Sequence, residues 1–201
     1  METSQPNFVV GIGGSAGALD AYKAFFEALP SDTGMAFAVI AHIHPDADSQ
    51  LAKILSRHTK MTVVLAASAM TIRANYVYVI PANTDLLIEN GTLVVITPRT
   101  IRNAQVDLFF TSLAKAMGTR AVGIIFSGYE HDGAEGCKRI RAAGGTTFTQ
   151  DNSAAINSMP LSARATGCID FVLPPHKIAA ELQKLKAGLV KKGARPSSEL
   201  L

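Results

Sequence analysis

Several things are scarce in this sequence, and each scarcity excludes something. Cysteine occurs twice, at Cys137 and Cys168, with no C-x-x-C and no set of four. That excludes a disulfide framework and a thiolate zinc site, and fits buried free thiols in a reducing compartment. Tryptophan is absent and aromatics make up only 6%. No charge sign dominates: 19 Lys+Arg stand against 16 Asp+Glu, a net charge of +3. No basic stripe with interleaved aromatics appears, so nucleic acid is not an expected partner. No apolar run approaches the roughly 20 residues that a membrane helix needs. The start, METSQPNFVV, lacks the basic and then apolar regions of a secretory signal. The expectation is a cytoplasmic protein with no membrane insertion.

What is present is core material. Hydrophobic residues reach 48% and glycine numbers 16, a composition for close helix–sheet packing. Strand and helix patterns alternate from the start. NFVVGIG, MAFAVIAH, TVVLA, AVGIIFS, TTFTQ and DFVLP read as strands, most of them nearly continuous apolar runs. ALDAYKAFFEALP, DSQLAKILSRHT, VDLFFTSLAKAMG, GAEGCKRIRAAGG and PHKIAAELQKLKAGL have helical spacing, with Asp48 or Ser49 as the expected N-cap of the second. NYVYVIP alternates as a strand. DLLIENGTLVVI reads as a hairpin turning at Asn90-Gly91. The expected fold is α/β: a doubly wound, mostly parallel sheet with helices on both faces and an antiparallel β-hairpin insert. Residues 1–187 are expected to form one domain and 188–201 a flexible tail.

In such sheets, ligands gather beyond the carboxyl ends of the strands. The first strand runs into Gly11-Ile12-Gly13-Gly14-Ser15. The second is followed by His42 and His44. The strand over 121–126 is followed by Ser127-Gly128-Tyr129-Glu130-His131-Asp132-Gly133. A hydroxyl, an imidazole and a carboxylate thus come to one sheet edge from three strands. A serine needs a base within hydrogen-bond reach to become a nucleophile, and a carboxylate fixes the tautomer of that base. Each residue also has a plain structural reading. Ser15 can cap the following helix, His42 can be a packed strand-end histidine, and Asp132 can cap the helix after Gly133. His44 is expected at the site rim, and His58 and His176 on solvent-facing helix surfaces.

Two other chemistries compete. Gly11-Ile12-Gly13-Gly14-Ser15-Ala16 approximates a dinucleotide-binding turn, but the acidic residue expected after the second strand is replaced by Ala41-His42. His42-Ile43-His44-Pro45-Asp46-Ala47-Asp48 resembles the H-x-H-x-D-x stretch of zinc hydrolases, with Asp48 where that motif carries a further His.

A longer likeness bears on the choice. GIGGSAGALDA, AHIHPDADSQLAKILSRHT, YVYVIPANTDLLIENGTLVV, VDLFFTSLAKAMGTRAVGIIFSGYEHDGAEG and GGTTFTQDNSAAINSMPLSARATGCIDFVLPP follow one another as in the catalytic domain of the chemotaxis-receptor methylesterases, the CheB type. The likeness covers roughly residues 7 to 187. It implies hydrolysis of glutamate γ-methyl esters on the cytoplasmic domain of methyl-accepting chemoreceptors, with glutamine deamidation as a second reaction. It puts the nucleophile on Ser15, the base on His42 and the orienting carboxylate on Asp132. It puts oxyanion donors on the backbone N–H groups of Ala16 and Tyr129, with no cofactor or metal. His44, Glu130, His131 and Met159 are candidate rim residues. The chain resembles most the version fused to, or beside, receptor methyltransferases, which implies a methyltransferase or regulatory partner. The family's S-G-x-G-x-D-G loop here carries Glu130 at its second glycine, so a differently bent oxyanion loop is expected. Ala18 stands where another glycine is common. With no receiver domain before the first strand, switching by that domain is not expected. A degenerate, receptor-binding module is the non-enzymatic alternative.

Overall fold

The computed structural model describes residues 5–44 and 50–188. Seven strands form one parallel sheet: β1 (Val9–Gly14), β2 (Ala36–Ala41), β3 (Thr62–Leu65), β4 (Tyr76–Val79), β7 (Ala121–Ile125), β8 (Thr146–Gln150) and β9 (Phe171–Leu173), in the order β3-β4-β2-β1-β7-β8-β9. Every pairing in it is parallel. The NYVYVIP stretch belongs to this sheet, inserted between β2 and β3. Among the described residues, β5 (Asp85–Glu89) and β6 (Thr92–Ile96) run antiparallel as a separate two-stranded sheet, to which Thr71 adds one antiparallel bridge at Thr92. Asn90 and Gly91 both take positive φ at its turn, 48° and 77°, as a primed turn requires.

The order explains where a site can form. The chain winds outward from β1 through β2 to the edge strand β3, steps back to β4 between β2 and β3, then crosses to β7 on the other side of β1 and winds out to β9. The direction of winding therefore reverses at β1. Loops leaving β1, β2 and β7 diverge there and leave a crevice.

Alternation along β1 divides the core. Val10 and Ile12 face α1 (Leu19–Glu27) and α6 (Pro175–Lys186), in a cluster rich in aromatics: Tyr22, Phe25, Phe26, Phe37, Phe126 and Phe148. Val9 joins the opposite cluster, with Val106, Phe109, Phe110 and Leu113 of α3 (Gln105–Met117) and Ile140 of α4 (Ala134–Ala142). On that side β1 has glycine rather than bulk. A methyl group at Gly13 would lie 2.5 Å from Val106 Cγ1. The bare backbone lets the start of α3 settle directly on β1.

Two local readings change. Helix α2 spans only Leu51–Leu55, and the expected caps Asp48 and Ser49 lie outside the described residues. His58 follows that helix and pairs with Glu27 at 2.6 Å; His176 on α6 is exposed. Helix α5 (Ser158–Ala165) has no counterpart in the sequence reading. It is short, carries Pro160, has no side-chain cap, and owes its burial to Met159, Pro160 and Ala163.

Candidate active site

Ser15 directly follows β1 and is half-buried. Its side chain does not cap α1: the N-cap is Ala18, which makes no side-chain cap bond. The Ser15 carbonyl accepts from Ala18 N at 3.1 Å, and its own N–H donates to Ser127 O at 2.9 Å. The hydroxyl is thus carried on a turn pinned at both main-chain groups.

His42 directly follows β2, and its N–H donates to Gly14 O at 3.3 Å. Its ring Nε2 lies 2.6 Å from Asp132 Oδ2, with the histidine side chain 10% exposed and the aspartate fully buried. Asp132 does not cap the helix that follows it, whose N-cap is Gly133. It caps a different one. Val106 N donates to Asp132 Oδ2 at 3.0 Å and Asp107 N donates to Oδ1 at 2.9 Å. The free N–H groups of α3 satisfy a buried carboxylate, and the positive end of the helix complements its charge. Asp107 Oδ1 accepts in turn from Gly136 N, 2.6 Å away in α4. Burial pushes the Asp107 carboxyl above the usual carboxylate range, against the hydrogen bond from Gly136 and reinforced by the nearby charge of Asp132.

With Nε2–H donating to Asp132, Nδ1 is the ring nitrogen left with a lone pair. Ser15 and His42 line the same cavity, of about 290 Å³. Among the described residues no hydrogen bond joins Ser15 Oγ to the ring. Catalytic hydrogen bonds are often long before substrate binds.

Ser127 ties the two halves of the crevice together. Its hydroxyl donates to Ala16 O at 2.9 Å and accepts from Ile156 N at 2.9 Å. Its N–H donates to Gln150 Oε1 at 3.1 Å. Gly128 N reaches Ile156 O at 3.0 Å, and a methyl group at Gly128 would stand 2.2 Å from Met159 Sδ. Between these anchors, Ala16 N–H and Tyr129 N–H donate to no acceptor among the described residues.

Glu130 takes up the left-handed conformation, at φ +67°, and its Oε2 accepts from Asn103 Nδ2 at 2.7 Å. Of the rim candidates, His44 and Glu130 line the cavity with Ser15 and His42, as does Tyr129, the expected oxyanion donor. His131 is exposed on the loop. Met159 is buried beneath Gly128. Neither His131 nor Met159 lines the cavity. Arg99, Arg102 and Asn103 do, and sequence reasoning overlooked them. They lie between the hairpin and α3, not after a parallel strand, so the strand-end rule does not point to them. The Arg-x-x-Arg spacing ahead of a helix was the available signal.

The family model of the CheB methylesterases matches residues 10–182. This chain belongs to the CheB methylesterase family. It is 34% identical over 192 residues to a protein-glutamate methylesterase/protein-glutamine glutaminase of Burkholderia thailandensis, covering 92% of this chain and 53% of that one. A protein of the same name from Pseudomonas fluorescens is 32% identical over 183 residues, covering 89% of this chain and 54% of its own length. The chain thus spans about half the length of these curated relatives. The CheB methylesterase catalytic domain of Thermotoga maritima superposes with a TM-score of 0.81 at 25% identity, over 89% of this chain and 98% of that one. The fold, with its parallel sheet and separate hairpin, is that of the CheB catalytic domain.

Proposed function

We propose that the protein is a serine hydrolase that cleaves glutamate γ-methyl esters on the cytoplasmic domain of chemoreceptors, with glutamine deamidation as a second reaction of the same site. The observation that carries the reading is the His42–Asp132 pair at 2.6 Å, opening on the cavity that Ser15 shares, beside two unengaged backbone N–H groups. The names of its relatives point the same way. Among the described residues no helix is long and apolar enough to cross a membrane; a cytoplasmic setting follows from the proposed substrate.

The chemistry runs in two halves. Ser15 Oγ attacks the ester carbonyl as His42 Nδ1 takes its proton, while Asp132 holds Nε2–H and steadies the imidazolium. The tetrahedral oxyanion rests on Ala16 N–H and Tyr129 N–H; one such donor contributes roughly 100- to 1000-fold in rate. His42 returns the proton to the departing methoxide, and methanol leaves a glutamyl–Ser15 ester. Water, deprotonated by His42, attacks that ester. Collapse frees the glutamate and restores the serine hydroxyl.

Ser15→Ala is expected to lower methanol release from methylated receptor by at least about 10⁴-fold, with the melting temperature unchanged. A fluorophosphonate probe should label the parent protein and not the variant. Turnover that survives in Ser15→Ala would remove the assignment. A parent protein that binds receptor but takes no label would be a binding module instead.

A further inference from the structure

Two arginines share the cavity that Ser15 lines. Arg99 and Arg102 line the same roughly 290 Å³ as Ser15 and His42. Among the described residues neither side chain makes an ion pair or a hydrogen bond. The cavity's own carboxylate, Glu130, is engaged by the Asn103 amide at 2.7 Å rather than by either arginine. The loop that carries the arginines is anchored through its main chain. Arg99 N donates to Asn83 O at 2.9 Å. The segment between them is held through Thr100, whose N–H and hydroxyl both donate to the buried Asp85 Oδ2 at 2.7 Å. Exposed arginines are usually unremarkable. A pair on an anchored loop, lining one cavity with the candidate nucleophile, outnumbers the single carboxylate there, Glu130, and leaves that cavity with a net positive field. Guanidinium is the side chain best shaped to engage a carboxylate.

We infer that Arg99 and Arg102 select the substrate by its neighbouring charge: the ester this site takes lies in an acidic peptide, with carboxylates flanking the reacting side chain. Removal of the ester methyl leaves one more carboxylate in the product, so the arginines also favour the product. The selection therefore acts on encounter and binding and not on the chemical step. This inference rests on the esterase reading for its substrate, and its test separates the two.

Two peptides of equal length, each with a single glutamate γ-methyl ester, are compared. One is flanked by Glu and Asp, the other by Gln and Asn. The acidic peptide is expected to have about tenfold higher kcat/KM, the difference lying in KM. The preference should shrink in 0.5 M salt, since screening acts over about 10 Å already at 0.1 M. In Arg99→Ala/Arg102→Ala the acidic-to-neutral ratio should fall to about one. Arg99→Lys/Arg102→Lys should restore most of it. Binding of both peptides to the Ser15→Ala variant, read by fluorescence anisotropy, gives the same comparison without turnover. Equal kcat/KM and equal binding for the two peptides would overturn the inference and leave the esterase standing. Preferential binding of the acidic peptide with no methanol released would overturn the esterase and leave the charge selection standing.

Discussion

Glu130 concentrates the residue-scale argument. The turn before Asp132 needs one residue at positive φ, and glutamate fills it at +67° despite a Cβ that opposes that conformation. Its hydrogen bond to Asn103 returns part of the strain by tying the loop to the segment ahead of α3. Glu130→Gly is expected to remove the strain and to raise the unfolding free energy by about 0.5–1 kcal/mol, checked by urea titration. A loss of stability would mean that the Asn103 bond outweighs the strain. The glycine pattern of the family marked this position in the sequence. It did not reveal that the glutamate takes positive φ and that its side chain is recruited, because backbone strain and a contact 27 residues away are invisible in a local motif.

At the scale of elements, β1, α3 and α4 form one unit under the site. Gly13 admits α3; α3 presents two N–H groups to Asp132; Asp107 of α3 accepts from Gly136 of α4. Gly13→Ala would drive a methyl group into Val106. It is expected to cost about 1–3 kcal/mol by overpacking, read as a lower urea midpoint. Activity should fall further than stability does, since the helix that moves is the one holding the carboxylate. Asp107 gives the unit a pH dependence. Its carboxyl is raised chiefly by burial, so the fold favours the protonated form, and the ionised form costs stability once pH rises through the shifted value. Asp107→Asn keeps an acceptor for Gly136 N and removes the charge. The variant should be more stable than the parent at neutral pH, with the gap closing toward about pH 3, where both side chains are neutral. Paired urea melts across that range would show it; a gap that widens on acidification would be the wrong sign. Helix α5 marks the limit of sequence reading at this scale. It is short and uncapped by a side chain, and packing rather than periodicity makes it helical.

At the scale of the whole molecule, the sheet is sealed on both faces, and the two thiols report on that seal. Cys137 is wholly buried among the α3–α4 side chains, and burial pushes its thiol well above the ordinary range. Cys168 is half-buried at the start of the approach to β9. A maleimide is expected to modify Cys168 in the native protein. Cys137 should react only through global opening, at a rate that follows unfolding free energy across variants. Rapid native labelling of both would mean that the α4 face opens locally.

Local chemistry alone settled much of this protein. Apolar runs made the parallel strands, because a strand buried on both faces has no polar side to show. Asn90-Gly91 made the hairpin, because only such residues relax into positive φ in succession. The residues that follow β1, β2 and β7 were marked as the place of chemistry. Tertiary structure decided the rest. Asp132 was available as a cap for its own helix, and became the cap of another one because Gly13 lets α3 come close. Arg99, Arg102 and Asn103 reach the cavity from a loop that follows no parallel strand. Such meetings depend on which distant surfaces pack together, and that is a property of the filled core rather than of any segment in it.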